Sequence, residues 1–234
     1  MKKMILASTS TLYGGSYLQY LLEHLENLFK DCSEILFIPF ARPGGISHEE
    51  YSAIAAKPFK TIGKKLTGIT NPENSIDQIK KAEGIFTGGG NTFLLVYMLY
   101  KTNSLEVLKN TIANGVPYLG TSAGSNIAGL TMQTTNDMPI IYPPSFKTMG
   151  MVPFNINAHY LDPDPKSKHM GETRETRINE FHHLNTQPVI GLREGSWLKV
   201  EQQSITLGGH LSARIFEKNK PAFEIGKGEK IDLK

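Results

Sequence analysis

Between Met4 and Gly120 the chain alternates short, continuously apolar runs with longer stretches of helical periodicity. The runs are Met4-Ile5-Leu6-Ala7, Ile35-Leu36-Phe37-Ile38, Gly84-Ile85-Phe86-Thr87 and Val116-Pro117-Tyr118-Leu119. Strands this apolar have no face to turn toward water, so both faces must be covered. Helical spacing supplies the covers. Leu18, Leu21, Leu22, Leu25, Leu28 and Phe29 predict one helix with Ser16 as its N-cap. A second is expected from Glu49 to Leu66, a short one around Ile76, Ile79 and Ala82, and another through Leu105, Leu108 and Ile112. The fold class is therefore α/β, a mostly parallel sheet sandwiched by helices. Beyond Leu184 the texture changes to short strands at Val189–Leu192, Trp197–Val200, Ile205–Leu207 and Ala213–Phe216, expected as an antiparallel C-terminal extension of the same sheet. No linker, repeat or low-complexity tract interrupts the 234 residues, so one domain over 1–234 is expected.

Apolar residues at 39% and charged residues at 20% exclude a disordered tail, a collagen-like rod and a membrane bundle. No apolar run reaches the roughly 18–20 residues of a membrane-spanning helix. The apolar start breaks at Ser8-Thr9-Ser10-Thr11, too early for a signal peptide, so a cytoplasmic chain without a membrane partner is expected. The formal charge of +3 is spread along the chain with no basic block and interleaved aromatics, which speaks against a nucleic-acid partner. Lys57, Lys60, Lys64 and Lys65 fit a solvated helix face. Cys32, the only cysteine, allows no disulfide and no thiolate zinc cluster and fits a core or boundary position.

Ligands of parallel α/β sheets bind outside the carboxyl ends of the strands, which directs attention to the loops after Ala7, Ile38, Phe86 and Leu119. Gly120-Thr121-Ser122-Ala123-Gly124 follows the last of these strands. A serine between glycines, between strand and helix, is the nucleophile-elbow pattern, in which a strained turn lifts the hydroxyl clear of the sheet. The plainer alternative is a Gly-rich turn with a solvent-facing serine. Gly88-Gly89-Gly90-Asn91-Thr92 follows another strand and lacks both P-loop and dinucleotide spacing. The N–H groups of Gly90 and Ala123 suit an oxyanion hole; a tight turn and nothing more is the alternative.

A serine nucleophile needs a base, and the base an orienting carboxylate. Of seven histidines, His24, His182 and His183 fall in helices and His48 at a helix start. His159, His169 and His210 remain, in Gly-, Pro- or Asn-rich loops. The α/β-hydrolase order would select His210 with Asp164 or Glu194; His159 would need Asp137 or Glu194. Spacing leaves these open. His159, Asp162, Asp164, His169 and Glu172 also form a loose metal-like set, but there is no HExxH, and Pro163 and Pro165 suit a surface loop. No metal and no cofactor is expected.

The chain resembles the peptidase E (aspartyl dipeptidase) family of serine peptidases over nearly its whole length. The resemblance is carried by Ile38-Pro39-Phe40-Ala41, Gly88-Gly89-Gly90-Asn91-Thr92-Phe93, Ser122-Ala123-Gly124, Thr134-Thr135-Asn136-Asp137-Met138-Pro139-Ile140, Asn155-Ile156-Asn157-Ala158-His159, Gly171-Glu172-Thr173-Arg174-Glu175 and Ile190-Gly191-Leu192-Arg193-Glu194-Gly195. It implies a fold similar to class I glutamine amidotransferases. It also implies Ser122 as nucleophile, His159 rather than His210 as base, and Glu194 or Asp137 as the acid. Glu194 follows a strand and is preferred as orienter, with Asp137 supporting. Family substrates are dipeptides with N-terminal aspartate, and Arg174 is the cation expected on that carboxylate; its alternative is a helix-start ion pair with a neighbouring Glu. The expected partner is a small peptide, the expected state a monomer or small homo-oligomer. Two positions depart from the family pattern, Thr121 in place of Trp and Ala158 in place of Pro, and both are expected to line or shape the site. Rival readings keep the chemistry on isoaspartyl or polymeric aspartyl links, or keep only the fold as a silent binding module.

Overall fold

The computed structural model describes residues 2–166, 168 and 170–233. Its strands are β1 (Lys3–Ala7), β2 (Glu34–Ile38), β3 (Lys65–Gly68), β4 (Gly84–Thr87), β5 (Tyr118–Thr121), β6 (Asn155–Ala158), β7 (Val189–Leu192), β8 (Ser196–Glu201), β9 (Ser204–Gly209), β10 (Ala213–Phe216) and β11 (Phe223–Ile225). Its α-helices are α1 (Leu22–Leu28), α2 (His48–Thr61), α3 (Ser75–Lys81), α4 (Thr92–Lys101), α5 (Leu105–Ala113), α6 (Ala123–Asn126) and α7 (Arg174–Leu184).

Seven strands form one sheet in the order β3-β2-β4-β5-β1-β8-β9. β1 to β5 run parallel, and β8 and β9 extend the sheet antiparallel beyond β1. The C-terminal strands, however, do not all join it. β7 and β10 pair with β6 and β11 in a second sheet of order β11-β10-β7-β6. Side-chain alternation explains why the first sheet is covered twice: Met4 and Leu6 of β1 enter one core, Ile5 and Ala7 the other. The first core also takes Ile156, Ile190, Leu192 and Ile215 from the second sheet, so the two sheets share buried apolar surface. Each such side chain contributes about 1.5–3 kcal/mol when fully buried.

Local chemistry moves three of the expected boundaries. The second helix stops at Thr61 rather than Leu66, because Gly63 turns the chain at φ +69° and Lys65–Gly68 then pairs with β2 as an edge strand. Ser47 and Glu50 close a capping box at the start of that helix, one residue before His48. Ser16 caps nothing. Leu18 adopts a left-handed conformation, a 3-10 turn spans Gln19–Leu21, and α1 begins only at Leu22. The lysine cluster is not one helix face: Lys64 donates to the carbonyls of Lys30 and Cys32, and Lys65 pairs with Glu34. Cys32 is buried, its thiol donating to the Glu83 carbonyl at 3.1 Å. Among the described residues no helix is long and apolar enough to cross a membrane.

Candidate active site

β5 delivers Ser122 at the carboxyl end of the parallel strands. The residue has φ 52° and ψ −112°, a backbone conformation that costs a non-glycine residue about 1–3 kcal/mol. The residues two places before and after it must be glycine. A Cβ on Gly120 would lie 2.5 Å from the Gly124 carbonyl oxygen, and one on Gly124 would lie 2.2 Å from the Thr87 oxygen. The Ser122 N–H donates to the Ala7 carbonyl at 3.0 Å, which fixes the elbow to the end of β1. β4 brings Gly88–Gly90 alongside: a Cβ on Gly89 would sit 3.1 Å from the Ser122 Cβ. Gly90 has φ +144°, and its missing side chain leaves room for the Ala41 carbonyl. Among the described residues the N–H groups of Gly90 and Ala123 have no hydrogen-bond partner, so both are free to donate to a developing oxyanion.

His159 comes from the other sheet. β6 ends at Ala158, and His159 turns at φ 56°. Its N–H donates to the Ser8 hydroxyl at 2.9 Å. The ring Nε2 lies 2.9 Å from the Ser122 Oγ, and Nδ1 lies 2.7 Å from the Glu194 Oε1. With a proton on Nδ1 donated to the carboxylate, Nε2 is the acceptor for the serine proton. Of the two described histidines left open by spacing, His159 and His210, His159 is thus the one beside the serine. His210 follows β9, is exposed and makes no hydrogen bond or ion pair among the described residues. His169 lies outside the described residues. His24 packs on Trp197 with ring centroids 4.6 Å apart, and His182 bonds the Gln187 carbonyl.

Asp137 is bound elsewhere. Its Oδ2 accepts the Thr92 N–H at 2.7 Å, the Thr92 hydroxyl at 2.5 Å and the Thr135 hydroxyl at 2.9 Å. Asn126 donates to both threonine hydroxyls and accepts the Ala158 N–H, so Asp137 reaches the end of β6 through a polar chain and not through the imidazole. Arg174 begins α7 without an ion pair among the described residues. The neighbouring Glu175 is paired with Arg214 and Glu172 with Arg177, so the helix-start ion pair is not formed. Burial and the like charge of Arg177 lower the Arg174 pKa, and Asp137 opposes that shift. Among the described residues no three His, Cys, Asp or Glu side chains converge as metal ligands. Asp162 is instead gripped by Arg193 at 2.7 Å, and Asp164 accepts the Lys166 N–H at 2.9 Å.

Two polar residues at the site escaped the sequence reading, Ser8 and Asn126. Ser8 lies in one of the strand-end loops marked in advance, the one after Ala7. Nothing in its type distinguished it from Ser10.

A model of peptidase family S51 matches residues 4–208. The chain belongs to peptidase family S51. It is 41% identical over 228 residues to a peptidase E of Streptomyces coelicolor, covering 97% of this chain and 93% of that one. It is 39% identical over 219 residues to a probable alpha-aspartyl dipeptidase of Drosophila melanogaster, covering 92% and 90%. The solved structure of a peptidase from an acI-B1 actinobacterium shares the fold, with a TM-score of 0.76 at 19% identity over 100% of this chain and 97% of that one. Thr121 and Ala158, expected from the sequence to line or shape the site, now have locations. Thr121 is fully buried with an unpartnered hydroxyl, so it does not line an open site. Ala158 donates the N–H to Asn126 that a proline would lack.

Proposed function

We propose that this S51 chain is a serine-type dipeptidase acting on short peptides with N-terminal aspartate. The observation that carries the reading is the unbroken contact from Ser122 Oγ to His159 Nε2 at 2.9 Å and from His159 Nδ1 to Glu194 Oε1 at 2.7 Å. Ser122 Oγ attacks the scissile carbonyl carbon while its proton passes to His159 Nε2. Glu194 holds the tautomer and balances the imidazolium charge. The Gly90 and Ala123 N–H groups receive the oxyanion. His159 then gives its proton to the leaving amine, an acyl-enzyme remains on Ser122, and water activated by the same histidine releases the acid.

Arg174, with no carboxylate paired to it among the described residues, is the group assigned to the aspartate side chain, which a guanidinium binds through two parallel hydrogen bonds. The name of the Drosophila relative supports an aspartyl substrate. Asp137 acts from a distance in this reading, stiffening the end of β6 through Thr92, Thr135 and Asn126. A single domain over 1–234, a cytoplasmic setting, a monomer or small homo-oligomer and no nucleic-acid partner complete it.

The test is hydrolysis of Asp-Leu beside Leu-Leu and Glu-Leu, with Ser122→Ala as control. Cleavage of Asp-Leu alone, lost in the variant, is expected. Cleavage of none of the three would reject the dipeptide assignment and direct the search to isoaspartyl and polymeric links.

A further inference from the structure

The three groups of the proposed relay come from distant points of the chain, and one small residue bonds the backbone of one of them and both ends of the turn that carries another. Ser8 follows β1 and is fully buried. Its hydroxyl accepts the His159 N–H at 2.9 Å and donates to the Leu192 carbonyl at 2.7 Å. Its own N–H donates to the Ser196 carbonyl at 3.1 Å. Leu192 and Ser196 bracket Glu194, so Ser8 holds both ends of the turn that carries the carboxylate. The preceding residue, Ala7, holds the third member through the Ser122 N–H at 3.0 Å and also accepts the Ser125 hydroxyl at 2.7 Å.

The turn at His159 is one that would otherwise relax. His159 sits at φ 56°, a left-handed conformation that a non-glycine residue keeps only where surrounding bonds over-determine it; Gly195, at φ 90°, turns without that cost. The Leu192 carbonyl also accepts the Tyr160 N–H at 3.1 Å. His159 and Tyr160 are thereby tied to two oxygens that are themselves bonded to each other, the Ser8 hydroxyl and the Leu192 carbonyl. A hydroxyl suits this place because a single small atom both accepts and donates strongly, where a thiol does so only weakly.

We propose that Ser8 is the positioning residue that sets the distances Ser122–His159 and His159–Glu194. This rests on the serine peptidase reading above and adds to it a specific dependence of turnover on a residue that touches no substrate. Ser8→Ala deletes the hydroxyl and leaves the N–H to Ser196 intact. The His159 backbone loses its anchor, and misplacement of a base by about 1 Å costs on the order of 100-fold in rate.

The experiment is steady-state hydrolysis of Asp-Leu by the wild type, Ser8→Ala, Ser8→Cys, Glu194→Gln and the Ser8→Ala/Glu194→Gln double variant, with labelling of Ser122 by a fluorophosphonate probe. Ser8→Ala is expected to lose about 100-fold in kcat with KM within about twofold, and to slow labelling in step. Ser8→Cys, nearly isosteric and a weak hydrogen-bonding group, is expected to fall between. A residue acting through the His159–Glu194 pair gives strongly non-additive penalties, so the double variant is expected to be little worse than Glu194→Gln alone. Multiplying penalties would overturn the proposal, because a merely structural role weakens the enzyme independently of the relay. So would a kcat within about threefold of wild type in both Ser8 variants. If Ser8→Ala does not fold, the Ser8→Cys kcat and its own cycle with Glu194→Gln decide the matter by the same criteria. A wild-type protein that neither cleaves a peptide nor takes the probe would instead reject the serine peptidase reading itself.

Discussion

His159 Nε2 lies 2.9 Å from Ser122 Oγ although the two residues follow strands of different sheets. Ser122 follows β5 in the seven-stranded sheet, and His159 follows β6 in the four-stranded one. The contact is made at a seam, and its precision depends on how the sheets dock and not on either sheet alone.

The two candidate acids separate by experiment. Glu194→Gln leaves an amide against Nδ1 and destroys the preference for the productive tautomer, with an expected loss of about 10³–10⁴ in kcat. Asp137→Asn disturbs only the Thr92 and Thr135 contacts. It is expected to cost about 1 kcal/mol of stability and less than tenfold in kcat. Parallel kinetics and denaturant titrations of the two variants check this, and the reverse order would exchange their roles.

Ser122 carries backbone strain that glycine does not feel. Ser122→Ala and Ser122→Gly are both expected to abolish turnover. Ser122→Gly is also expected to be more stable than Ser122→Ala by about 1 kcal/mol, since φ 52° with ψ −112° is open to glycine. Equal thermal midpoints for the two would mean that the elbow is not strained.

Much of this site could be seen in the chain before folding, and the parts that could not have physical reasons. β1, β2, β4 and β5 are apolar on both faces, so hydropathy marks them together with the two glycine-rich loops at their ends. β3 is an edge strand of alternating exposure, and its Lys65-Leu66 start continues a helical pattern. β6 is the instructive miss. Asn155-Ile156-Asn157-Ala158 is buried throughout, yet half of it is asparagine. Asn155 bonds Thr131, and Asn157 bonds the Thr134 carbonyl and Asn136. A strand satisfied by side-chain amides gives no hydropathy signal, so the proposed base that follows it was separable from His169 and His210 only by family resemblance. The second sheet stayed hidden because β7 and β8 are adjacent in sequence and both apolar, while the turn at Arg193-Glu194-Gly195 sends them to different sheets.

Arg174→Gln is expected to lower kcat/KM for Asp-Leu by about 10–100-fold, the worth of a charge-assisted carboxylate contact. Arg174→Lys is expected to recover only part, because an ammonium cannot bind two oxygens in parallel. A ratio of Asp-Leu to Leu-Leu turnover unchanged by both would remove Arg174 from substrate recognition.

Acid should loosen the second sheet early. Glu224 accepts from Arg193, Ser212 and Arg214, and the Arg193 contact is foremost in pulling its pKa from 4.5 to about 2. A carboxyl depressed on folding contributes stability that is complete above about pH 4.5 and disappears as the pH falls toward 2. Asp162, lowered by the same guanidinium, adds in the same direction. Denaturant midpoints measured from pH 6 downward are expected to drop below pH 4.5 in the wild type and to fall less steeply in Arg193→Met. Parallel curves would show that the network carries no proton linkage.

The division of the proposed relay between two sheets has a consequence for the order in which the enzyme would come alive during synthesis. The five parallel strands are complete once Thr121 has emerged, and Ser122 follows at once. His159 and Glu194 come later, and the strand that continues from Glu194 must return to lie beside β1. With the relay as proposed, a growing chain that has already folded its parallel strands presents Ser122 without His159 beside it, and would not attack neighbouring peptides until the last third of its own sequence is in place.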